Sequence, residues 1–198
     1  MKRNPAIGVN APKQKIEDIQ YLSSDEIDKL LNFQPDFSEK SIRDKAMFEV
    51  IYATGINVSE LVSLKICDVD LQDGIIRCSG AAARIIPIGN KAIDSISAYL
   101  KIRDAKSEYL FVNIYGNAMS RQGFWKILKS YKEKVGIDKE ITPRILRRSL
   151  AIHLASNGME TDTLKQIMGL KSDISVSKYI ETANHEIRNK YFKAHPRA

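Results

Sequence analysis

The side chains best suited to chemistry in this chain are its cations, and they are unevenly spread. The formal net charge is +7, and residues 101–148 hold twelve Lys and Arg against five Asp and Glu, a surplus equal to the whole. Residues 21–100 are acidic by four charges, while 1–20 and 149–198 carry +2 each. Guanidinium and ammonium groups gathered in one quarter of a chain suit a polyanion, of which nucleic acid is the usual case. On charge alone, a solvated basic helix face stays open as the alternative. Other chemistry is thin. Cys67 and Cys78 are the only cysteines and stand in apolar or β-like stretches, so both are expected to be buried small hydrophobes in a reducing cytoplasm. Two cysteines without clustered histidines argue against a zinc site, and no metal or cofactor is expected.

The elements that must position these cations read as mainly helical. A chain of 198 residues, 43% hydrophobic and 28% charged, is ordinary for one globular domain with a short appendage. It has no apolar run of about 18 residues, so no membrane span is expected. Met1-Lys2-Arg3-Asn4-Pro5 lacks an apolar segment behind it, which argues against a signal peptide. Residues 1–20, with two prolines and no sustained periodicity, read as a linker or arm. Ser23 with Glu26 three residues on predicts a capping box and a helix that ends before Pro35. A buried helix is predicted over Arg43–Tyr52, broken at Thr54-Gly55, and a short one begins at Val58.

Residues 67–88 change period. Val69, Leu71, Ile75, Ile76, Ile85, Ile86 and Ile88, punctuated by Asp73-Gly74, Gly80 and Pro87, predict a small antiparallel sheet of two or three strands. Helix resumes over Lys91–Arg103, and Leu110-Phe111-Val112 is too short to assign. Ser120–Val135 is strongly amphipathic: Phe124, Ile127, Leu128 and Tyr131 form one face, with Arg121, Lys126, Lys129, Lys132 and Lys134 around the rest. Pro143 opens a helix running to Asn157-Gly158. Two more follow, Asp162–Met168 and Ser175 to about residue 193. The fold class is mainly α with a small antiparallel β-sheet (α+β).

Several segments resemble the Xer branch of the tyrosine recombinases, the phage integrase family. Arg43-Asp44-Lys45-Ala46-Met47 with Tyr52-Ala53-Thr54-Gly55-Ile56-Asn57-Val58-Ser59-Glu60-Leu61 resembles the family's first catalytic box. Ser120-Arg121-Gln122-Gly123-Phe124-Trp125 resembles the start of its DNA-contacting helix, and Thr142-Pro143-Arg144-Ile145-Leu146-Arg147-Arg148 through His153 resembles the second box. Met168-Gly169-Leu170-Lys171-Ser172 through Lys178-Tyr179 resembles the third, and His195-Pro196-Arg197-Ala198 a typical Xer C-terminus. Each segment is weak singly. In this order over residues 21–198 they are highly specific. The resemblance implies a tyrosine recombinase catalytic-type domain at 21–198, with 1–20 as an interdomain linker. Larger members carry a helical core-binding domain ahead of this one. That domain is absent here, so the chain is expected to be an excised fragment or a naturally short protein.

The resemblance also implies a reaction: metal-free phosphoryl transfer in which a tyrosine attacks the scissile phosphate and a 5′-hydroxyl leaves. Tyr179 matches the nucleophile, Arg147 the second arginine, and Glu60 an acidic residue that orients the site. The departures matter more. Asn57 stands where the first arginine belongs, Ala81 at the turn lysine, Arg144 at the histidine beside the second arginine, and Leu170 at the last histidine. Arg84, Lys91 or Lys171 remain as substitutes. His153 reads as a core or satisfied surface residue, and His185 and His195 lie beyond Tyr179 where no motif places a catalytic group.

Phosphate clamping needs only cations on a shaped surface. Ser120, Arg121, Gln122, Lys126 and Lys129 on the helix, with Arg144, Arg147 and Arg148 as a second cluster, are therefore expected to keep double-stranded DNA as partner. Three readings follow: a catalytically degenerate DNA-binding relative of a recombinase acting in DNA recombination or integration; an active recombinase with a rebuilt site; and an interaction module that no longer binds DNA. In the family the C-terminal helix docks into a neighbouring protomer, so Tyr191-Phe192 is expected to serve self-association or association with a related recombinase. The expected location is cytoplasmic, on the nucleoid.

Overall fold

A computed structural model describes residues 19–80 and 82–197. Most of the 1–20 linker, the turn position Ala81 and Ala198 lie outside the described residues. Helix α1 (Ser24–Asn32) starts as its sequence dictates: the Ser23 hydroxyl accepts from the Glu26 N–H, and the Glu26 carboxylate accepts in return from the Ser23 N–H. Helix α2 (Glu39–Thr54) begins four residues before the predicted start, because Ser38 caps it from outside the apolar run. It is buried nearly all round, through Ala46, Met47, Phe48, Val50 and Ile51, and packs on α4 (Asn90–Ile102) and α6 (Pro143–Ser156). A helix with no solvent face belongs at the centre of a core.

After α3 (Val58–Ser63) and a 3-10 turn at Ile66–Asp68, three antiparallel strands follow in sequence order: β1 (Val69–Asp70), β2 (Ile75–Cys78) and β3 (Arg84–Pro87). Val69 faces Ile76 and Ile76 faces Ile86, so the alternating apolar positions bury one face. Cys78 is buried as expected. Cys67 is exposed, a correction: it lies in the 3-10 turn, where no sheet face covers it.

Leu110-Phe111-Val112, too short to read in sequence, is fully buried and held by single pairings of Lys65 with Tyr109 and Val112 with Ala118. Helix α5 (Arg121–Val135) sets Phe124, Leu128 and Tyr131 into the main core, where Phe48 meets the rings of Phe124 and Tyr131. Helices α7 (Thr161–Met168) and α8 (Asp173–Ala194) close a smaller core with Leu150, Ala151, Leu164, Met168 and Val176. Thus α6 belongs to both cores and joins them.

The turn after α2 is where the two cores meet. Gly55 caps that helix at φ +61°, and a Cβ there would lie 2.7 Å from Met168 Sδ and 2.9 Å from Leu150 Cδ2. Replacing Gly55 by Ala therefore combines a left-handed backbone with a steric conflict and is expected to cost about 1–3 kcal/mol. Urea unfolding of Gly55→Ala checks this; an unchanged midpoint would show that the turn relaxes freely.

Candidate functional site

Arg147 stands in the second turn of α6, one turn beyond the Thr142 cap and Pro143. That register aims its guanidinium at the junction of the two cores, where it donates to the carbonyls of Gly55 and Met168. Both carbonyls sit at helix C-termini, where backbone acceptors lack intrahelical partners. Burial lowers its pKa below the ordinary arginine value, and the nearby Arg84 charge acts in the same direction. The Glu60 carboxylate and the Tyr179 phenol act oppositely. Tyr179, on the second turn of α8, is half-buried against the smaller core and within electrostatic reach of Arg147. The fork is thus partly occupied: among the described residues, two of its five N–H groups are committed to backbone carbonyls.

Beside it, Arg84 leaves β3 and donates to both oxygens of Glu60, at 2.8 and 3.2 Å. It also donates to the carbonyls of Ile167 (2.8 Å) and Ala82 (2.9 Å), so four of its five N–H groups are spent. The guanidinium lies flat against Gly169, where a Cβ would come within 3.0 Å of it. Burial opposes the charge of Arg84, but the Glu60 bonds outweigh it and hold its pKa above the ordinary value. Burial likewise opposes the Glu60 carboxylate, and bonds from Arg84 and the Asn57 N–H hold its pKa down. Asn57 is exposed and acts as the cap of α3: its side chain accepts from the Glu60 N–H at 2.9 Å. Leu170 is half-buried, packs on the smaller core and lines an open groove of about 620 Å³ with Ala82–Ile85, Lys165 and Lys171.

The remaining cations form an exposed face. Ser120 caps α5 by accepting from the Gly123 N–H at 2.9 Å, and Arg121, Gln122, Lys126 and Lys129 are all exposed. Arg144 is exposed in the first turn of α6 and Arg148 is half-buried. Neither α5 nor α6 carries an acidic residue in its first turn, and each places an arginine there. The helix dipole disfavours a cation at that end by a few tenths of a kcal/mol or more, typically about 0.3–1 kcal/mol. Helix α4 opens likewise, with Lys91 and without a carboxylate, whereas α1, α2 and α3 follow the opposite rule with Asp25, Glu39 and Glu60 in their first turns.

The phage integrase family model matches residues 20–186. The chain belongs to that family. It is 38% identical to tyrosine recombinase XerD of Listeria innocua, over all of this chain and 70% of the relative. It is 39% identical to XerD of Oceanobacillus iheyensis, over 98% of this chain and 68% of the relative. The solved structure of XerA recombinase superposes with a TM-score of 0.79 at 29% identity, covering 96% of this chain and 68% of that one. A XerH recombinase solved on its difH substrate shares the fold at a TM-score of 0.70 and 22% identity, covering 80% and 48% of the two chains. This is a Xer-like tyrosine recombinase catalytic domain, mainly α with one small antiparallel sheet.

Within that fold, Glu60, Arg84, Arg147, Leu170 and Tyr179 converge on one junction, whereas Lys91 sits on α4 beside Glu49. The structural role of Arg84 escaped the sequence, since its partners lie 24 and 83 residues away. Among the histidines, Nδ1 of His153 pairs with the Tyr52 hydroxyl at 2.8 Å, His185 is exposed on α8, and His195 stacks on Tyr191. Among the described residues no group of three or more His, Cys, Asp and Glu could hold a metal ion, and no helix is long and apolar enough to cross a membrane.

The Arg84–Glu60 pair makes a prediction with a sign. The folded pKa of Glu60 is lowered, so its contribution is present above the ordinary value of 4.5 and is lost as pH falls below it. Glu60→Gln is expected to lose about 2–4 kcal/mol at neutral pH, less than for a fully buried pair. It is also expected to flatten the stability profile between pH 5 and about pH 3. Unfolding midpoints across that window check it; a parallel profile in the variant would contradict the assignment.

Proposed function

We propose that this chain is a DNA-binding member of the tyrosine recombinase family that takes part in site-specific recombination or integration with strand cleavage impaired. Two features together carry this reading. Cations open α5 and α6 against the helix dipole, and the groups that would complete cleavage are Asn57, Ala81, Arg144 and Leu170. A phosphate at either helix start offsets the dipole cost, because backbone N–H groups and an arginine converge there. Ser120, Arg121, Gln122, Lys126, Lys129 and Arg148 are the proposed DNA-binding residues, with Arg121 on the phosphate at the helix start and Gln122 suited to a base edge.

For the chemistry, Tyr179 is the proposed nucleophile, and Arg147 with Arg144 would meet the phosphate oxygens. Asn57 brings no charge and is already occupied as a cap. Leu170 donates nothing, and an arginine at position 144 is a poor general base. Losing one transition-state donor costs about 10²–10³ in rate. Several losses in one constellation do not add simply, yet together they leave cleavage very slow. Arg84 is a weak substitute because its fork is spent on Glu60 and two carbonyls.

In this reading residues 21–198 form the catalytic-type domain and 1–20 a linker, and the protein acts in the cytoplasm on the nucleoid. Tyr191 and Phe192, 55% and 51% exposed on α8, are the proposed contact for a second copy or a related recombinase.

Two measurements test the proposal. Duplex affinity is expected to fall steeply with salt, and Arg121→Ala to reduce the logarithmic slope by about one. A salt-independent affinity, or none at low salt, would remove the DNA reading. Restoring Asn57→Arg, Ala81→Lys, Arg144→His and Leu170→His together is expected to raise nicking of a duplex carrying the bound site by at least about 10². An unchanged rate in a folded variant would mean that the substitutions are not what limits cleavage.

A further inference from the structure

The turn just before α5 is built like a tool. Val112 pairs with Ala118, the Asn113 N–H donates to Asn117 O at 2.8 Å, and the Met119 N–H donates to Phe111 O at 3.0 Å. The Asn113 side chain accepts from the N–H groups of Tyr115 (2.9 Å) and Asn117 (3.2 Å), and Gly116 at φ +75° closes the bend. Its base is anchored by Phe111, fully buried, and Met119, 6% exposed. At the tip of this braced hairpin stand Ile114 and Tyr115, 79% and 80% exposed. A turn needs Asn and Gly for its bonds and its bend, which this one has; it does not need two large apolar side chains held in water.

Charge and reach point to the occupant. From Tyr109 to Lys132 the chain has four cations, Arg121, Lys126, Lys129 and Lys132, and no carboxylate. The tip precedes the Ser120 cap of α5 by five residues, a span of at most roughly 17 Å of extended chain. One turn of duplex is about 34 Å, so half a turn, the offset from a major groove to the neighbouring minor groove, is also roughly 17 Å. Apolar wedges in a minor groove bend the duplex toward the major groove, the side on which α5 would sit.

We propose that the Asn113–Asn117 turn is a second DNA contact, with Ile114 and Tyr115 wedged into the minor groove that flanks the α5 footprint. The inference rests on the DNA-binding reading above and adds a site, an apolar mode of contact and a bend. The apolar side chains pack on deoxyribose faces and a partly unstacked base step, so they release no counterions.

The test uses the full chain and short mixed-sequence duplexes labelled at both ends. Anisotropy against salt gives affinity and slope, and end-to-end energy transfer at saturation gives the bend. Wild type is expected to shorten the end-to-end distance. The double variant Ile114→Ser with Tyr115→Ser is expected to bind about tenfold more weakly. It should also leave the duplex straighter and keep the salt slope, with an unchanged unfolding midpoint because both side chains are exposed. Arg121→Ala is expected to lower the slope instead. If wild type and the double variant bind and bend alike, the turn is not a DNA contact and a protein partner becomes its use, while the DNA reading stands. If the double variant loses slope, the tip works through phosphates and the wedge is wrong. If wild type binds no duplex at low salt, the DNA reading fails and the wedge with it.

Discussion

The guanidinium of Arg147 is the tie on which the site depends. It donates to Gly55 at the end of α2 and to Met168 at the end of α7, while its own backbone belongs to α6. Three segments far apart in sequence are thereby fixed by one side chain, and α8, which carries Tyr179, packs on two of the helices involved. Arg84 makes a second tie of the same kind, joining β3 to α3 through Glu60 and to α7 through the Ile167 carbonyl. Planar forks suit this work because each presents five donors in a fixed fan, against the three of an ammonium. The junction around Arg147 is thus held by contacts internal to the protein.

Those contacts do not draw on the positions at which the family pattern departs. Asn57 caps α3, and the capping box it forms with Glu60 leaves that carboxylate able to hold Arg84. Leu170 makes apolar contact with the smaller core. The cations that open α5 and α6 stand where the helix dipole disfavours them, a cost that a phosphate would offset under the proposed DNA-binding function.

Local signals were legible in the sequence. The Ser23–Glu26 box, the Gly55 break, the three strands and the amphipathic α5 all follow from neighbours within a few residues. The start of α2 was not, because Ser38 caps it beyond the apolar run. Leu110–Val112 was not, because it pairs at isolated residues rather than along a ladder. Cys67 was misjudged because an apolar neighbourhood in sequence does not cover a residue in space. The matching of Arg147, Glu60 and Tyr179 to family boxes named three residues that the fold brings within electrostatic reach of one another. The partners of Arg84 and Arg147 were beyond that reading, since a fork can face a ligand or a carbonyl and only the fold decides. The exposed Ile114 and Tyr115 gave no signal at all, since exposure is a property of what fails to pack.

Under the proposed function the pocket keeps its phenol but lacks the charge and acid that cleavage requires. A suicide duplex, nicked so that a cleaved strand end diffuses away, traps any covalent tyrosyl adduct on the protein. The wild-type chain is expected to bind such a duplex yet accumulate adduct no faster than its Tyr179→Phe variant. Rapid adduct formation by wild type, abolished in Tyr179→Phe, would contradict that function.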